Sequence, residues 1–181
     1  MILRGIHPMA IIDAAGRLEM PATTVVEPGS VIFVGPDAEI SFGEMNTLYA
    51  GCMFRLARGF IRTGRRVSFG PGCLIYETRA GLTIGDNCLI AGGVKLCGVQ
   101  HGHGGSQPMR DQRARELPIV IGDDVWLGMG VIVMPGVTIG CHSVVGAGSV
   151  VTRNLPAGVV AQGVPARVMR RRGAGDDVRP G

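Results

Sequence analysis

Branched aliphatic residues recur at every sixth position between residues 121 and 151 of this 181-residue chain. This spacing fits neither the 3.6-residue period of an α-helix nor the two-residue alternation of a half-buried strand. It is typical of a short strand and a tight corner that repeat three times in each turn of a parallel β-helix. The series consists of Ile121, Leu127, Val133, Ile139, Val145 and Val151, and a shorter series of Ile84, Ile90 and Leu96 precedes it.

The repeat predicts an all-β solenoid whose aliphatic side chains point into a narrow triangular core. The residue after each aliphatic is mostly small, as at Gly122, Gly128 and Gly140. We expect this residue to form the bend, because Gly adopts positive φ without steric cost. Large aromatic side chains are not expected in so narrow a core, and aromatic residues make up only 4% of the chain.

An uncharged run of 28 residues, from Val125 to Thr152, exceeds the length of about 18 apolar residues at which a transmembrane helix is suspected. The run contains six Gly and many β-branched residues, which weaken helices and favour strands. A helix would also distribute the six-residue series around its whole surface, whereas a β-helix places it inside. We therefore expect no membrane span.

Charge and cysteine content narrow the function classes. The net charge of +4 is modest and suits anionic small molecules, and no nucleic-acid-binding motif is visible, so no nucleic-acid partner is expected. The five Cys are odd in number and lack CxxC spacing, which predicts buried reduced thiols and no metal site. Residues 1–8 lack the charged start and apolar core of a signal peptide, which predicts a cytoplasmic protein.

The chain is predicted to form one domain over residues 1–172. Within it we expect an irregular N-terminal cap over 1–24, a loop extruded from the solenoid over 102–120 and a C-terminal extension over 157–172. Residues 173–181 are predicted to be a disordered tail. The repeat is poorly phased between Gly43 and Val67, which predicts a bulge or a longer corner there.

Of the four His, His101 has the most informative position, because it ends its hexad at a corner directly before the predicted loop. An imidazole at such a surface corner suits a general base near neutral pH. His103 lies inside the Gly-rich loop, where it would be held less firmly. His7 and His142 are expected to be ordinary residues of the cap and of an exposed coil.

Four sequence blocks, in order, resemble the signatures of hexapeptide-repeat acetyltransferases: residues 121–128, 135–140, 145–152 and 163–167. They are similar to those of the galactoside, maltose and nodulation-factor O-acetyltransferases and of their relatives in polysaccharide gene clusters. The resemblance implies a left-handed β-helix and a homotrimer with active sites between subunits. It also implies direct transfer of acetyl from acetyl-CoA to a hydroxyl, without an acyl-enzyme.

The resemblance also implies site residues. The family's catalytic base falls on His101, and the backbone amide of Met129 matches the donor that holds the oxyanion. The pantetheine arm of CoA would lie in a groove between subunits, and four Arg or Thr positions would contact the nucleotide end. The groove positions are Trp126, Gly128, Ala147 and Gly148, and the nucleotide positions are Thr152, Arg153, Arg167 and Arg170. Trp126 could equally pack at a subunit interface, and Arg170 could belong to a solvated basic tail.

The acceptor is expected to be a sugar or a sugar-containing small molecule. Residues 69–73 depart from the Asn-rich stretch that the galactoside enzymes have near the acceptor, so those contacts do not carry over. An amino group is an alternative acceptor. Two other classes are a gamma carbonic anhydrase, whose zinc-ligand positions are here Gly92 and Cys97, and a non-catalytic solenoid.

Overall fold

The structure is a computed structural model that describes residues 5–173, and it consists of a β-solenoid of about seven turns. The left-handed parallel β-helix expected from the sequence is confirmed. Met1–Arg4 of the predicted cap and residues 174–181 of the predicted tail lie outside the described residues.

In the described part of the chain the strands are short, apart from two of eleven residues, and one 3-10 turn occurs at Met109–Asp111. The strands are β1 (Ile11–Ala14), β2 (Arg17–Glu19), β3 (Val25–Val26), β4 (Val31–Ser41), β5 (Thr47–Leu48), β6 (Met53–Thr63), β7 (Ser68–Phe69), β8 (Leu74–Tyr76), β9 (Leu82–Ile84), β10 (Leu89–Ile90), β11 (Lys95–Cys97), β12 (Val99–Gln100), β13 (Arg115–Glu116), β14 (Ile119–Ile121), β15 (Trp126–Leu127), β16 (Ile132–Val133), β17 (Thr138–Ile139), β18 (Val144–Val145), β19 (Val150–Val151), β20 (Val159–Gly163) and β21 (Ala166–Arg171).

These strands form the three faces of a prism. Face 1 is the parallel ladder of β3, β5, β7, β10, β15, β18 and β20, and β21 folds back antiparallel onto β20. Face 2 contains β1, the first parts of β4 and β6, then β8, β11, β16 and β19. Face 3 contains β2, the second parts of β4 and β6, then β9, β14 and β17. We call the corners between them the 1–2, 2–3 and 3–1 edges.

The six-residue series lies in the core, as the repeat predicts. Its six members are at most 1% exposed, and each pairs with a core residue of an adjacent coil, as Leu127 does with Val145. Removing such branched side chains from water supplies roughly 1.5–3 kcal/mol each. The core is therefore one continuous column of aliphatic side chains stacked along the axis.

The expectation that the core excludes large aromatics is wrong for the early coils. Phe42, Phe54 and Phe69 are buried there and stack edge to face, with ring centroids 5.3 and 5.0 Å apart. The reason is coil length. The stretch of chain between the paired Val26 and Leu48 is longer than that between the paired Leu127 and Val145, so the early prism is wider.

The corners also differ from the expectation. Gly122 and Gly140, which follow core aliphatics, do not adopt positive φ; a Cβ on them would lie 2.7 and 2.4 Å from backbone nitrogen of the next coil. The left-handed residue comes two positions later. It is Gly at the 1–2 edge, as at Gly130, and often a larger residue at the 3–1 edge, as at Asp124 and His142.

The N-terminal segment is more regular than predicted, since β1 and β2 lie within residues 1–24 and pair with β4. The poorly phased stretch contains β6, which runs across the 2–3 edge instead of turning sharply. The extruded segment runs from Val99 to Pro118, because β14 begins at Ile119, and it therefore differs from 102–120 at both ends. Residues 157–172 contain β20, which extends face 1, and β21.

The five cysteines are all free thiols, and Cys52, Cys73 and Cys88 are buried. Burial raises the pKa of the Cys88 thiol to about 11, which keeps it protonated and unreactive near neutral pH. Among residues 5–173, no helix has the length and apolar character needed to cross a membrane. Cytoplasmic localisation stays a prediction.

We expect Gly140→Ala to lower stability by about 1–3 kcal/mol, because the added Cβ would meet backbone of the next coil that cannot move independently. Gly104→Ala is the control, since a Cβ there meets nothing within 4 Å and its φ is not positive. Urea unfolding followed by circular dichroism measures both. Equal stabilities of the two variants would contradict the stacking argument.

Candidate active site

His101 lies at the start of a loop that leaves the solenoid at the 2–3 edge. It directly follows β12, which pairs antiparallel with β13 through Val99–Glu116 and Gln100–Arg115. The exposed imidazole lines a cavity of about 310 Å³ together with Gln100, Gly102, His103, Gly104, Arg113 and Arg115. The ribbon of β12 and β13 thus holds a candidate base at the surface, as the sequence predicts.

A network of charged side chains fixes the ribbon to the solenoid wall. Glu116 on β13 accepts hydrogen bonds from Arg58 at 2.5 Å and from Arg79 at 3.2 Å. Arg79 also donates to Glu77 at 2.8 Å, and Arg55 lies 3.7 Å from the same carboxylate. We call these five residues the anchor network. It joins two coils of the wall to the returning strand of the loop.

The anchor network is partly buried, which makes its pairing important. Glu77 is only 4% exposed, so its carboxylate depends on the two arginines in place of water. Desolvation raises the pKa of Glu116, but the hydrogen bonds from Arg58 and Arg79 outweigh it and hold that pKa below its ordinary value. Glu116 therefore stays ionised and paired at neutral pH.

The anchor network was not predicted above, although the spacing of four of its residues in the sequence indicates that they are neighbours. Arg55 is separated from Glu77 by one early coil, and Arg58 is separated from Arg79 by almost the same length of chain. Residues separated by one coil are neighbours in a β-helix. Glu116 carries no such signal, since the inserted loop breaks the spacing.

A second cavity lies beside the first at the base of the loop. It has a volume of about 740 Å³ and is lined by Arg58, Arg113, Ala114, Arg115, Glu116 and Leu117. Arg113 and Arg115 therefore line both cavities. The base of the extruded loop borders an open space of a size that suits a small molecule, since such sites measure about 300–1,000 Å³.

Met129 lies at a different place, on the 1–2 edge. It is 68% exposed, and among the described residues its backbone N–H has no hydrogen-bond partner, while its carbonyl accepts from Gly148 at 2.8 Å. The N–H of Ala147, one coil later, is likewise unpaired within residues 5–173. This corner therefore presents free backbone donors to solvent, which suits an anionic oxygen.

Two predicted glycines at this corner have different structural roles. Gly128 is buried, and a Cβ on it would lie 2.6 Å from the nitrogen of Ala147, so coil stacking alone requires Gly there. Gly148 has φ of +68°, and a Cβ on it would meet nothing within 4 Å. The surface at Gly148 is open, which leaves room for a ligand to approach the backbone.

The remaining predicted residues are spread over the surface. Trp126 points outward on face 1 between Leu89 and Val144 and is 51% exposed. Thr152 and Arg153 lie at the 2–3 edge after β19, two coils from the loop. On β21, Arg167 pairs with Gln162 near the 1–2 edge and Arg170 pairs with Val160.

The predicted set is therefore divided within one chain. Gly128, Met129, Ala147 and Gly148 come together at the 1–2 edge, whereas His101 lies at the opposite end of face 2.

His142 lies at the 3–1 edge, where it contacts Asp124 at 3.0 Å. Hydrogen bonds from His142 and Arg172 hold the pKa of Asp124 below its ordinary value. No group of His, Cys, Asp and Glu that could hold a metal occurs in the described residues.

Two family models match the solenoid wall on either side of the loop. Residues 118–153 match the family described as bacterial transferase hexapeptide (six repeats). Residues 61–96 match the family described as hexapeptide repeat of succinyl-transferase. Both matches agree with the repeat that the structure shows.

Two relatives and one solved structure extend the comparison. The chain is 50% identical to the galactoside O-acetyltransferase of Escherichia coli over 90 residues. This aligned stretch is 49% of this chain and 43%, less than half, of that protein. It is 38% identical to the galactoside O-acetyltransferase of Lactococcus lactis over 178 residues, and this alignment covers 94% of this chain and 75% of that protein. It is also similar to a hexapeptide-repeat-containing acetyltransferase of Vibrio cholerae complexed with acetyl coenzyme A, at 28% identity over 87% of this chain and 71% of that chain, with a TM-score of 0.55.

We expect Glu77→Gln to destabilise the protein by about 1–3 kcal/mol, because it leaves Arg79 and Arg55 without their shared charged acceptor. Glu19→Gln is the matched control, since the Glu19–Arg17 pair is exposed and should change stability by less than about 0.5 kcal/mol. Denaturant unfolding of both variants is the measurement. A Glu77 variant as stable as the control would show that the anchor network contributes nothing.

Proposed function

The chain belongs to the hexapeptide-repeat acetyltransferase family, and we propose that it transfers acetyl from acetyl-CoA to a hydroxyl of a sugar or sugar-containing small molecule. The observation that carries this proposal is that the chain has both an exposed His101 at one edge and a Met129 backbone N–H without a hydrogen-bond partner at another. The E. coli and L. lactis relatives are galactoside O-acetyltransferases, which supports O-acetylation of a sugar. No described residue favours an amino acceptor over a hydroxyl.

In the proposed reaction His101 acts as the general base. It accepts the proton of the acceptor hydroxyl as the oxygen attacks the thioester carbon, a role that contributes about 10²–10⁴-fold in rate. The backbone N–H of Met129 donates to the oxyanion of the tetrahedral intermediate. When the C–S bond breaks, the CoA thiolate leaves and accepts the proton from His101. The acetyl ester forms without an acyl-enzyme.

Acetyl-CoA would bind along the 1–2 edge. The open backbone at Gly148 and the unpaired N–H of Ala147 suit a thin arm with amide groups. Trp126 and Gly128 would flank it, and Arg167 and Arg170 on β21 would contact the nucleotide end. Thr152 and Arg153 lie at the 2–3 edge and would reach the nucleotide end from the neighbouring subunit. Guanidinium groups match phosphate geometry, which supports the three arginines in this role.

We propose that the site forms between subunits of a homotrimer, because His101 and Met129 lie at opposite ends of face 2. The outward side chains of the three faces support this arrangement. Faces 1 and 2 present mostly apolar residues, whereas face 3 is mostly polar. The outward columns are Val25, Thr47, Ser68, Leu89, Trp126, Val144 and Val160 on face 1; Ile11, Val31, Met53, Leu74, Lys95, Ile132 and Val150 on face 2; and Glu19, Ser41, Arg62, Thr83, Val120 and Thr138 on face 3.

A closed ring of three identical subunits buries two different faces of each and leaves the third in water. Faces 1 and 2 have the apolar character needed for this burial, and face 3 has the polar character of a solvated surface. In the ring that we propose, the 1–2 edge of each subunit packs against face 2 of its neighbour and so approaches the loop at the end of that face. One shared site would then contain both His101 and Met129.

We expect His101→Ala to reduce acetyl transfer at least about 100-fold while acetyl-CoA binding stays within about twofold, because the imidazole acts on the proton and not on CoA. Release of free thiol measures turnover, and isothermal titration measures binding. His142→Ala is the control, since His142 contacts Asp124 at a distant edge. A His101 variant that keeps a tenth of the activity would refute its assignment as base.

Light scattering should give a mass about three times the 18.9 kDa of the chain. Leu89→Asp should dissociate the assembly, since it places a charge in the apolar column of face 1. Thr83→Asp on the polar face 3 is the control and should leave the mass unchanged. A monomeric unmodified protein would contradict the proposed shared site.

A further inference from the structure

Two arginines of the extruded loop stand between the two cavities at its base. Arg113 and Arg115 line the cavity of about 310 Å³ that contains His101, and they also line the cavity of about 740 Å³ beside it. The loop folds closely here, because a Cβ on Gly102 would lie 2.9 Å from the carbonyl oxygen of Arg113. Two positive charges thus lie next to the proposed base.

Neither arginine is neutralised within the described residues. The structure gives the side chains of Arg113 and Arg115 no hydrogen bond or ion pair in residues 5–173, and both residues are exposed. The two carboxylates of the anchor network are already engaged, since Glu116 binds Arg58 and Arg79, and Glu77 binds Arg79. The large cavity is therefore positively charged.

Glu116 pairs with the arginines of the wall and not with those of the loop. Its neighbour Arg115 is adjacent in sequence on β13, yet the carboxylate turns to Arg58 and Arg79 on the wall. The anchor network thus holds the loop with wall arginines and leaves the loop arginines unpaired. Guanidinium groups bind carboxylate and phosphate through paired N–H donors, so two unpaired guanidinium groups beside a cavity suit an anionic ligand.

We infer that the acceptor is an anionic sugar, one that carries a carboxylate or a phosphate, and that Arg113 and Arg115 bind that group while a hydroxyl faces His101. This inference rests on the proposed acetyl transfer and deepens it by naming the acceptor class. The volume of about 740 Å³ accommodates a charged sugar of this kind. The reaction is unchanged, and the anionic group takes no part in bond making.

The test compares matched acceptors that differ in one charged group. Galacturonate against galactose tests a carboxylate, and glucose 6-phosphate against glucose tests a phosphate, each with acetyl-CoA and thiol release as readout. We expect the anionic member of at least one pair to have a kcat/KM about tenfold higher or more, expressed mainly in KM, because charge-assisted hydrogen bonds act on binding. The pair that responds identifies the group.

Variants test whether Arg113 and Arg115 themselves, and not the overall positive charge of the loop, cause the preference for an anionic acceptor. In R113Q and R115Q the preference for the anionic acceptor should fall about tenfold, and R113K should restore part of it because Lys keeps the charge but lacks the fork. R110Q is the matched control, since Arg110 lies on the same loop but lines neither cavity, and its preference should equal that of the unmodified protein.

The outcomes distinguish the two levels of the argument. Turnover of neutral and anionic acceptors at equal kcat/KM, or a preference that R113Q and R115Q leave intact, overturns the anionic-acceptor inference and leaves acetyl transfer standing. Failure of the unmodified protein to bind acetyl-CoA or to release thiol with any acceptor overturns the proposed function itself.

Discussion

Close stacking of one backbone coil on the next is the constraint on which the rest of the structure depends. Strand pairing sets the coil spacing, and at the corners this leaves no room for a Cβ, as at Gly140, where one would lie 2.4 Å from the next coil. The length of each coil sets the width of the core, so short coils bury Val, Leu and Ile, and the longer early coils hold Phe54 and Phe69. The glycine-rich corners follow from the spacing of the coils, and the core composition follows from their length.

The coils also determine where chemistry can be placed. Because residues one coil apart are neighbours, Met129 and Gly148 form one corner and Arg58 and Arg79 reach the same carboxylate. A loop can leave an edge without disturbing the wall, since Leu96 still pairs with Val133 across the insertion. The strand ladders of the faces therefore continue past the loop, and the edges carry the candidate site.

The candidate site therefore combines backbone groups of a solenoid edge with side chains of the extruded loop. The rigid 1–2 edge offers unpaired backbone N–H groups at Met129 and Ala147, which need no side chain and are positioned by the core. The extruded loop carries the side chains that we propose act on an acceptor, His101 with Arg113 and Arg115, and the anchor network holds the loop to the wall. A trimer would bring the edge of one subunit to the loop of another.

The sequence by itself determined the solenoid, the core series from Ile121 to Val151 and the position of His101 beside a loop. These could be predicted because each hexad carries its own core residue and corner, so the signal is local. The tertiary structure was needed for four features: the paired strands β1 and β2 near the N-terminus, the left-handed corners at Asp124 and His142, the attachment of Glu116 to the wall, and the separation of His101 from Met129. They depend on which coil lies against which, and on contacts such as that of Arg58 with Glu116, which lie far apart in sequence and leave no periodic trace in it.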